Sequence, residues 1–300
     1  MRHITKANEE MKIKKENVLF IMIFSAPFAL LFLFFILFPI FEEIYYAFVI
    51  KLVGLPPRFT GLSNFKSLLR NPLYVRSLLN TLFFVSIVVN TRMLLALALA
   101  VLLNQEFKGR KYVRALMILP WALPIVPALL TWRWMFNPDY GLINELLLKT
   151  GLIKSKVNWF GTYSTAFAIA ILFPIWKFAP FWASIFLARL QAIPRDLYEA
   201  AIVDGARPLQ TFRYITLPHI KDLYVLNTLL STIWTMGDFI TIYLLTGGGP
   251  AGTTHVLATI GYMFAFQLGN LGVASAAFVF VLPIIIPLIM LIMWMLERAG

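Results

Sequence analysis

The chain has 300 residues, 60% hydrophobic and 13% charged, with a mean hydropathy of +0.79, which excludes an ordinary soluble core of this size. It has no cysteine, so disulfides and thiolate metal sites are excluded as well. The net charge of +12 lies in short basic blocks between apolar segments, a pattern of membrane topology and not a track for nucleic acid.

The first 17 residues form a basic tail with Arg2, Lys6, Lys12, Lys14 and Lys15. The apolar core that follows is longer than that of a cleavable signal peptide, so an uncleaved span is predicted at 18–41. Five more segments approach the roughly 20 apolar residues that a bilayer crossing needs, at 80–103, 113–136, 164–187, 222–245 and 273–296. The predicted fold is all-α: a polytopic membrane protein of about six transmembrane helices, with a tail 1–17 and a transmembrane domain 18–300. Positive charge in the loops 104–112 and 188–221, including Lys108, Arg110, Arg189, Arg195, Arg207 and Arg213, puts those loops and both termini in the cytoplasm. Lys51, Arg58, Lys66, Arg70 and Arg76 run against this trend in the first outer loop. There, Gly61 to Asn80 reads as an amphipathic stretch along the outer membrane face. Further on, NPDYGLIN at Asn137 to Asn144 combines turn signals with the start of a short surface helix.

The loop 188–221 is polar where its flanks are apolar. Pro194 suits the first turn of a helix running to about Asp204, and Gly205 can take the positive φ that ends it. Ala200 and Ala201 keep one face thin, with Glu199, Asp204, Arg207 and Arg213 at its rim. After Pro208, a second short helix carries Phe212, Ile215 and Leu217 at the spacing of an apolar stripe. An ordinary loop helix shares these traits; the full string is more particular. EAAIVDGARPLQTFRYITLP, Glu199 to Pro218, closely resembles the EAA motif of permease subunits in ATP-binding-cassette importers: E-A-A, three residues, G-A, a spacer and an apolar run ending L-P.

Together with NPDYGLIN, LQAIP at Leu190 to Pro194, LLTGGGP at Leu244 to Pro250 and FQLGNLGVA at Phe266 to Ala274, the motif is similar to the carbohydrate branch of those importers, the maltose and glycerol-phosphate permeases. The similarity runs from about residue 18 onward. It implies a permease that forms half of a translocation pathway for a sugar, a di- or oligosaccharide, in the cytoplasmic (inner) membrane of a prokaryote. Glu199, Ala200, Ala201, Asp204, Gly205, Ala206, Phe212, Leu217 and Pro218 would then enter a groove on the ATPase. The implied partners are a second homologous permease, an ATPase dimer holding ATP and magnesium, and an extracytoplasmic sugar-binding protein. One departure is LPHIKDL at Leu217 to Leu223, where the family often places a second proline at the position of Asp222.

Charges inside the spans mark candidate pathway residues, because each is costly in hydrocarbon. Asp238 is the acid well inside a predicted span, with Arg92 and Lys177 as bases. Trp234, Phe239 and Tyr243 accompany Asp238, and Trp176 neighbours Lys177. Aromatic faces stack on the C–H surfaces of sugars, and a buried carboxylate accepts hydroxyl hydrogens. The structural alternative is that Asp238 pairs with a base, or caps the interface with a partner permease, to hold helices together.

GGGPAGTT at Gly247 to Thr254 lacks the lysine of a phosphate-binding loop and follows an apolar span, so nucleotide binding is assigned to a separate subunit. His3, His219 and His255 are far apart, and no catalytic or metal-ligand spacing is present; the chain reads as a transporter and not an enzyme. An ion-coupled secondary transporter and a permease for polyamines, metals or phosphorylated solutes remain the alternatives.

Overall fold

A computed structural model describes residues 20–299; the predicted tail 1–17 lies outside the described residues. Helix α1, Phe20–Ala47, carries its apolar side chains almost wholly exposed and stands at the edge of the bundle. Val49–Ile50 (β1) and Arg58–Phe59 (β2) pair antiparallel, a small hairpin in an otherwise helical chain. Helix α2, Ser63–Arg70, is followed at once by α3, Pro72–Asn104.

The sequence reading starts that second span eight residues too late. The Asn71 side chain accepts from the backbone N–H of Leu73 at 2.9 Å and of Tyr74 at 3.3 Å, and Pro72 sits in the first turn where its missing N–H costs nothing. The stretch Gly61 to Asn80 is therefore divided between α2 and the start of α3. At about 50 Å, from 1.5 Å per residue, α3 exceeds the hydrocarbon thickness of roughly 30 Å.

The predicted third span is broken. Arg110–Met117 (α4) and Leu119–Ala122 (α5) form one arm, Ile125–Met135 (α6) the other, and they meet at 90°. Leu123 is extended with ψ near 140°, as a residue before proline prefers, and Pro124 donates no hydrogen bond. Leu142–Lys149 (α7) is the short surface helix expected after NPDYGLIN. Helix α8 spans Tyr163–Gln191.

The loop that follows holds α9, Arg195–Val203, and α10, Pro208–Thr211, before α11, Leu217–Met236. The predicted fifth span is also interrupted: α11 stops at Met236, and α12 resumes only over Ile240–Leu245. Leu257–Tyr262 (α13), Leu271–Val279 (α14) and Leu282–Ala299 (α15) complete the described chain. Among the described residues four helices are long and apolar enough to cross a bilayer: α1, α3, α8 and Leu271–Met295. The bent α4–α6 pair makes a fifth if taken as one span. Helix α11, with polar His219, Lys221 and Asp222 at its start, is not among them, so six uninterrupted spans is a correction in detail and not in fold class.

The centre of the fold is α3 laid along α8. Ala96 and Ala100 of α3 and Ala183 of α8 have no exposed surface and let the backbones approach closely; Met93, Trp182 and Phe186 fill the space beside them. Leu190, Ile193 and Ile220 extend the same core toward the loop after α8.

Candidate functional site

Helix α9 begins one residue later than expected, with Pro194 as its N-cap, and it ends as expected. Ala206 N–H donates to the carbonyl of Ala201 at 2.9 Å and Gly205 N–H to that of Ile202 at 3.0 Å, a Schellman closure that needs the left-handed backbone at Gly205, φ +76°. A Cβ on Gly205 would meet no atom within 4 Å, so the demand at this position is on backbone conformation and not on space.

The element is fastened on three sides. Tyr198 and Thr216 share a hydroxyl hydrogen bond of 3.1 Å, Arg189 Nε donates to the His219 carbonyl at 3.0 Å, and Arg195 pairs with Glu106, just beyond α3, at 3.1 Å. The last pair is almost fully solvated and contributes little energy. Between α9, α10 and the end of α3 lies a groove of about 850 Å³, lined by Glu106, Tyr198, Glu199, Ile202, Ala206 and Phe212 among others.

The predicted stripe of Phe212, Ile215 and Leu217 turns mostly inward. Ile215 packs on the α3–α8 core, Phe212 is half-buried, and Leu217 is partly exposed. The outward apolar surface belongs to residues the sequence reading passed over: Ile202, Val203, Leu209 and Tyr214 are 70, 87, 76 and 71% exposed. The signal was present, since an apolar residue off an inward-facing stripe of a short element must face out. Glu199, Ala200, Asp204 and Gly205 share this exposed surface, Ala201 and Ala206 are half-buried, and Pro218 lies in the first turn of α11.

The predicted pathway residues do not form one cluster. Lys177 is 2% exposed, and its Nζ donates to the carbonyls of Pro120 at 2.7 Å and Trp121 at 3.0 Å, and also to that of Leu123. These are the acceptors freed where α5 ends, so the ammonium caps a helix C-terminus inside the bundle. Trp176, beside it, packs on Trp132 at 5.3 Å and Phe173 at 6.0 Å between ring centroids.

Trp234 lies 5.5 Å from Trp182 and 6.0 Å from Phe181 and stays 59% exposed. Tyr243 belongs to a separate ladder, 4.7 Å from Phe239 and 5.3 Å from Tyr262, which continues to exposed Phe266. The two aromatic sets flank the break between α11 and α12.

Asp238 occupies that break. Its carboxylate accepts from the Thr241 backbone N–H at 3.1 Å and from the Thr241 hydroxyl at 2.7 Å, capping α12. Among the described residues the ion pairs are Glu145–Lys156 and Glu106–Arg195, so Asp238 has no base within 4 Å and its direct partner is Thr241. Arg92 instead joins α3 to α11, donating to the hydroxyls of Thr235 at 2.7 Å and of Ser231.

The glycine-rich loop after α12 is packed into the bundle. Asn80 of α3 donates to the carbonyls of Thr253 and His255, both at 2.8 Å, and Thr254 Oγ1 donates to that of Gly249 at 2.6 Å. Gly248, φ +83°, lies directly against the His255 ring, where no Cβ fits. This geometry braces the N-terminal part of α3 and leaves no row of free backbone N–H groups for a phosphate.

Residues 92–299 match the family model described as binding-protein-dependent transport system inner membrane component. The chain is 39% identical to the trehalose/maltose transport system permease protein MalF of Thermococcus litoralis over 73% of either chain. It is 36% identical to the sulfoquinovosyl glycerol transport system permease protein SmoG of Agrobacterium fabrum, over 84% of this chain and 82% of that one. A chain from the crystal structure of a bacterial alginate ABC transporter, in complex with an alginate pentasaccharide-bound periplasmic protein, superposes with a TM-score of 0.82 at 25% identity over 96% of both chains.

Proposed function

Since the chain belongs to the family of binding-protein-dependent transport system inner membrane components, we infer that it is the permease subunit of an ATP-driven carbohydrate importer. It is not itself an enzyme; ATP hydrolysis belongs to a separate subunit. A saccharide cargo is supported by the relatives named for trehalose/maltose and sulfoquinovosyl glycerol, and cargo of more than one sugar unit by the alginate neighbour. The assembly we propose adds a second homologous permease, an ATPase dimer that holds ATP and magnesium, and an extracytoplasmic sugar-binding protein, in the inner membrane of a prokaryote.

The observation that carries the coupling role is the exposed apolar set Ile202, Val203, Leu209 and Tyr214 on an element fastened to the ends of α3, α8 and α11. Large unpartnered apolar residues on a rigid protrusion fit a protein groove better than they fit water. Glu199 to Pro218 enters the ATPase, and closure of the ATPase dimer moves the three spans to which the element is tied. Substrate passes along the face bearing Trp234, Asp238 and Tyr243. Trp176 and Lys177, also pathway candidates from the sequence, belong instead to the packing around α5 and α6.

Gly205→Val tests the coupling. A β-branched side chain at φ +76° costs about 1–2 kcal/mol and disfavours the Schellman closure. ATP-driven uptake by the reconstituted importer is expected to fall by an order of magnitude or more, with ATPase activity no longer stimulated by the binding protein. Gly205→Asn, which tolerates the left-handed region, is expected to keep most of the uptake. Wild-type uptake in the valine variant would refute the coupling role.

Asp238 is tested by a pair of substitutions. Asp238→Ala removes the α12 cap and is expected to cost about 1 kcal/mol of stability, while Asp238→Asn keeps the acceptor and folds normally. If the carboxylate also contacts sugar, the asparagine variant shows a raised KM for uptake at unchanged thermal stability. Unchanged KM in Asp238→Asn would assign the residue to capping alone.

A further inference from the structure

Where α11 begins and α15 ends, a cavity of about 960 Å³ opens between the two helices. Leu226 and Trp294 are among its apolar walls, and Arg189, Lys221 and Arg298 contribute three cations, with Asp222 the acid among the lining residues. The Arg298 guanidinium carbon sits 3.9 Å over the Trp294 ring. None of the three cations has a carboxylate within 4 Å among the described residues. Arg189 uses only Nε, toward the His219 carbonyl, leaving the far side of its guanidinium for another acceptor.

We propose that this cavity binds an anionic phospholipid of the cytoplasmic leaflet, its phosphate among Arg189, Lys221 and Arg298 and its acyl chains along α11 and α15. Two features select a lipid. The lining joins three cations, with His219 and Asp222 beside them, to an apolar wall that includes Leu223, Val225, Leu226 and Trp294, the division of a phospholipid itself, whereas a free phosphate has no use for the apolar wall. Trp294 marks the depth at which tryptophans settle between headgroup and hydrocarbon. The side of the membrane rests on the coupling reading above, since Arg189 and Lys221 flank the ATPase-facing element, and the cytoplasmic leaflet is the one rich in anionic lipid. The site would anchor the last turn of α15 to the root of the coupling element through the headgroup.

The test is native mass spectrometry of the full-length chain in detergent, titrated with phosphatidylglycerol, with phosphatidylcholine, and with glycerophosphoglycerol, the same headgroup without acyl chains. The expected result is phosphatidylglycerol bound about tenfold more tightly than phosphatidylcholine, from the attraction of clustered basic residues for anionic headgroups, with no competition from glycerophosphoglycerol at equal concentration. Lys221→Gln combined with Arg298→Gln, both exposed positions whose replacement leaves folding intact, should bring the two lipids to the same affinity.

Equal affinity in the wild type, an unchanged preference in the double variant, or competition by glycerophosphoglycerol at the lipid's own concentration would each overturn the proposal. So would displacement of the lipid when the ATPase and second permease are added, which would make the cavity a subunit contact. Lipid binding by the chain alone requires no ATP, so its failure would leave the importer reading standing, and uncoupled transport in the Gly205 variants would leave the lipid result unaffected.

Discussion

Lys177→Met is expected to yield a chain that inserts poorly and unfolds well below the wild type in detergent. The methionine fills much the same volume but presents no donor to the carbonyls of Pro120, Trp121 and Leu123. In a bundle surrounded by hydrocarbon no water reaches them, and each unsatisfied acceptor costs on the order of 1–3 kcal/mol, so the total loss is about 3 kcal/mol or more. Lys177→Gln, with two amide hydrogens, should recover part of that loss. Thermal unfolding of the purified variants measures it. A methionine variant as stable as the wild type would mean that the right-angle break between α5 and α6 is held by packing alone, for instance by Trp121 stacked 5.6 Å from Phe181.

Ile202→Asp with Val203→Asp should abolish attachment of the ATPase while leaving the permease folded. Both side chains are exposed in the free chain, so each substitution perturbs folding by about 0.5 kcal/mol, or about 1 kcal/mol for the pair. Buried against a partner, two such side chains contribute about 4 kcal/mol in apolar transfer alone, equivalent to roughly a thousandfold in dissociation constant. Co-purification of the tagged ATPase is the readout. Retention of the ATPase by the double variant would move the docking surface away from α9. Parallel loss with an unfolded permease would contradict the exposure on which the prediction stands.

The sequence carried the chemistry of the coupling element further than that of the pathway, and the reason is physical. The closure of α9 at Gly205 is a local event, set by one residue's freedom at positive φ, and it was legible in EAAIVDGA. Periodicity also found the stripe of Phe212 and Ile215, but a stripe carries no sign: only packing against the core decided that Ile215 faces inward and that Ile202 and Val203 face out. Hydropathy summed over a window is blind to breaks, so ILPWALPIVP counts as one crossing although Pro124 and Pro127 imply freed carbonyls four residues back, at Pro120 and Leu123.

Those carbonyls are the partners of Lys177, whereas intramembrane charge by itself points to a pathway. Asp238 followed the same logic. Its place three residues before Thr241, at the start of a helix that resumes after Gly237, is a capping pattern that an uninterrupted span concealed.

The bonds of Tyr198 to Thr216 and of Arg189 to the carbonyl of His219 tie the protrusion at its base, while the solvated Arg195–Glu106 pair adds little. On the coupling reading proposed above, a displacement of the protrusion passes to the roots of α8 and α11 through these two bonds, and on to α3 through its packing along α8.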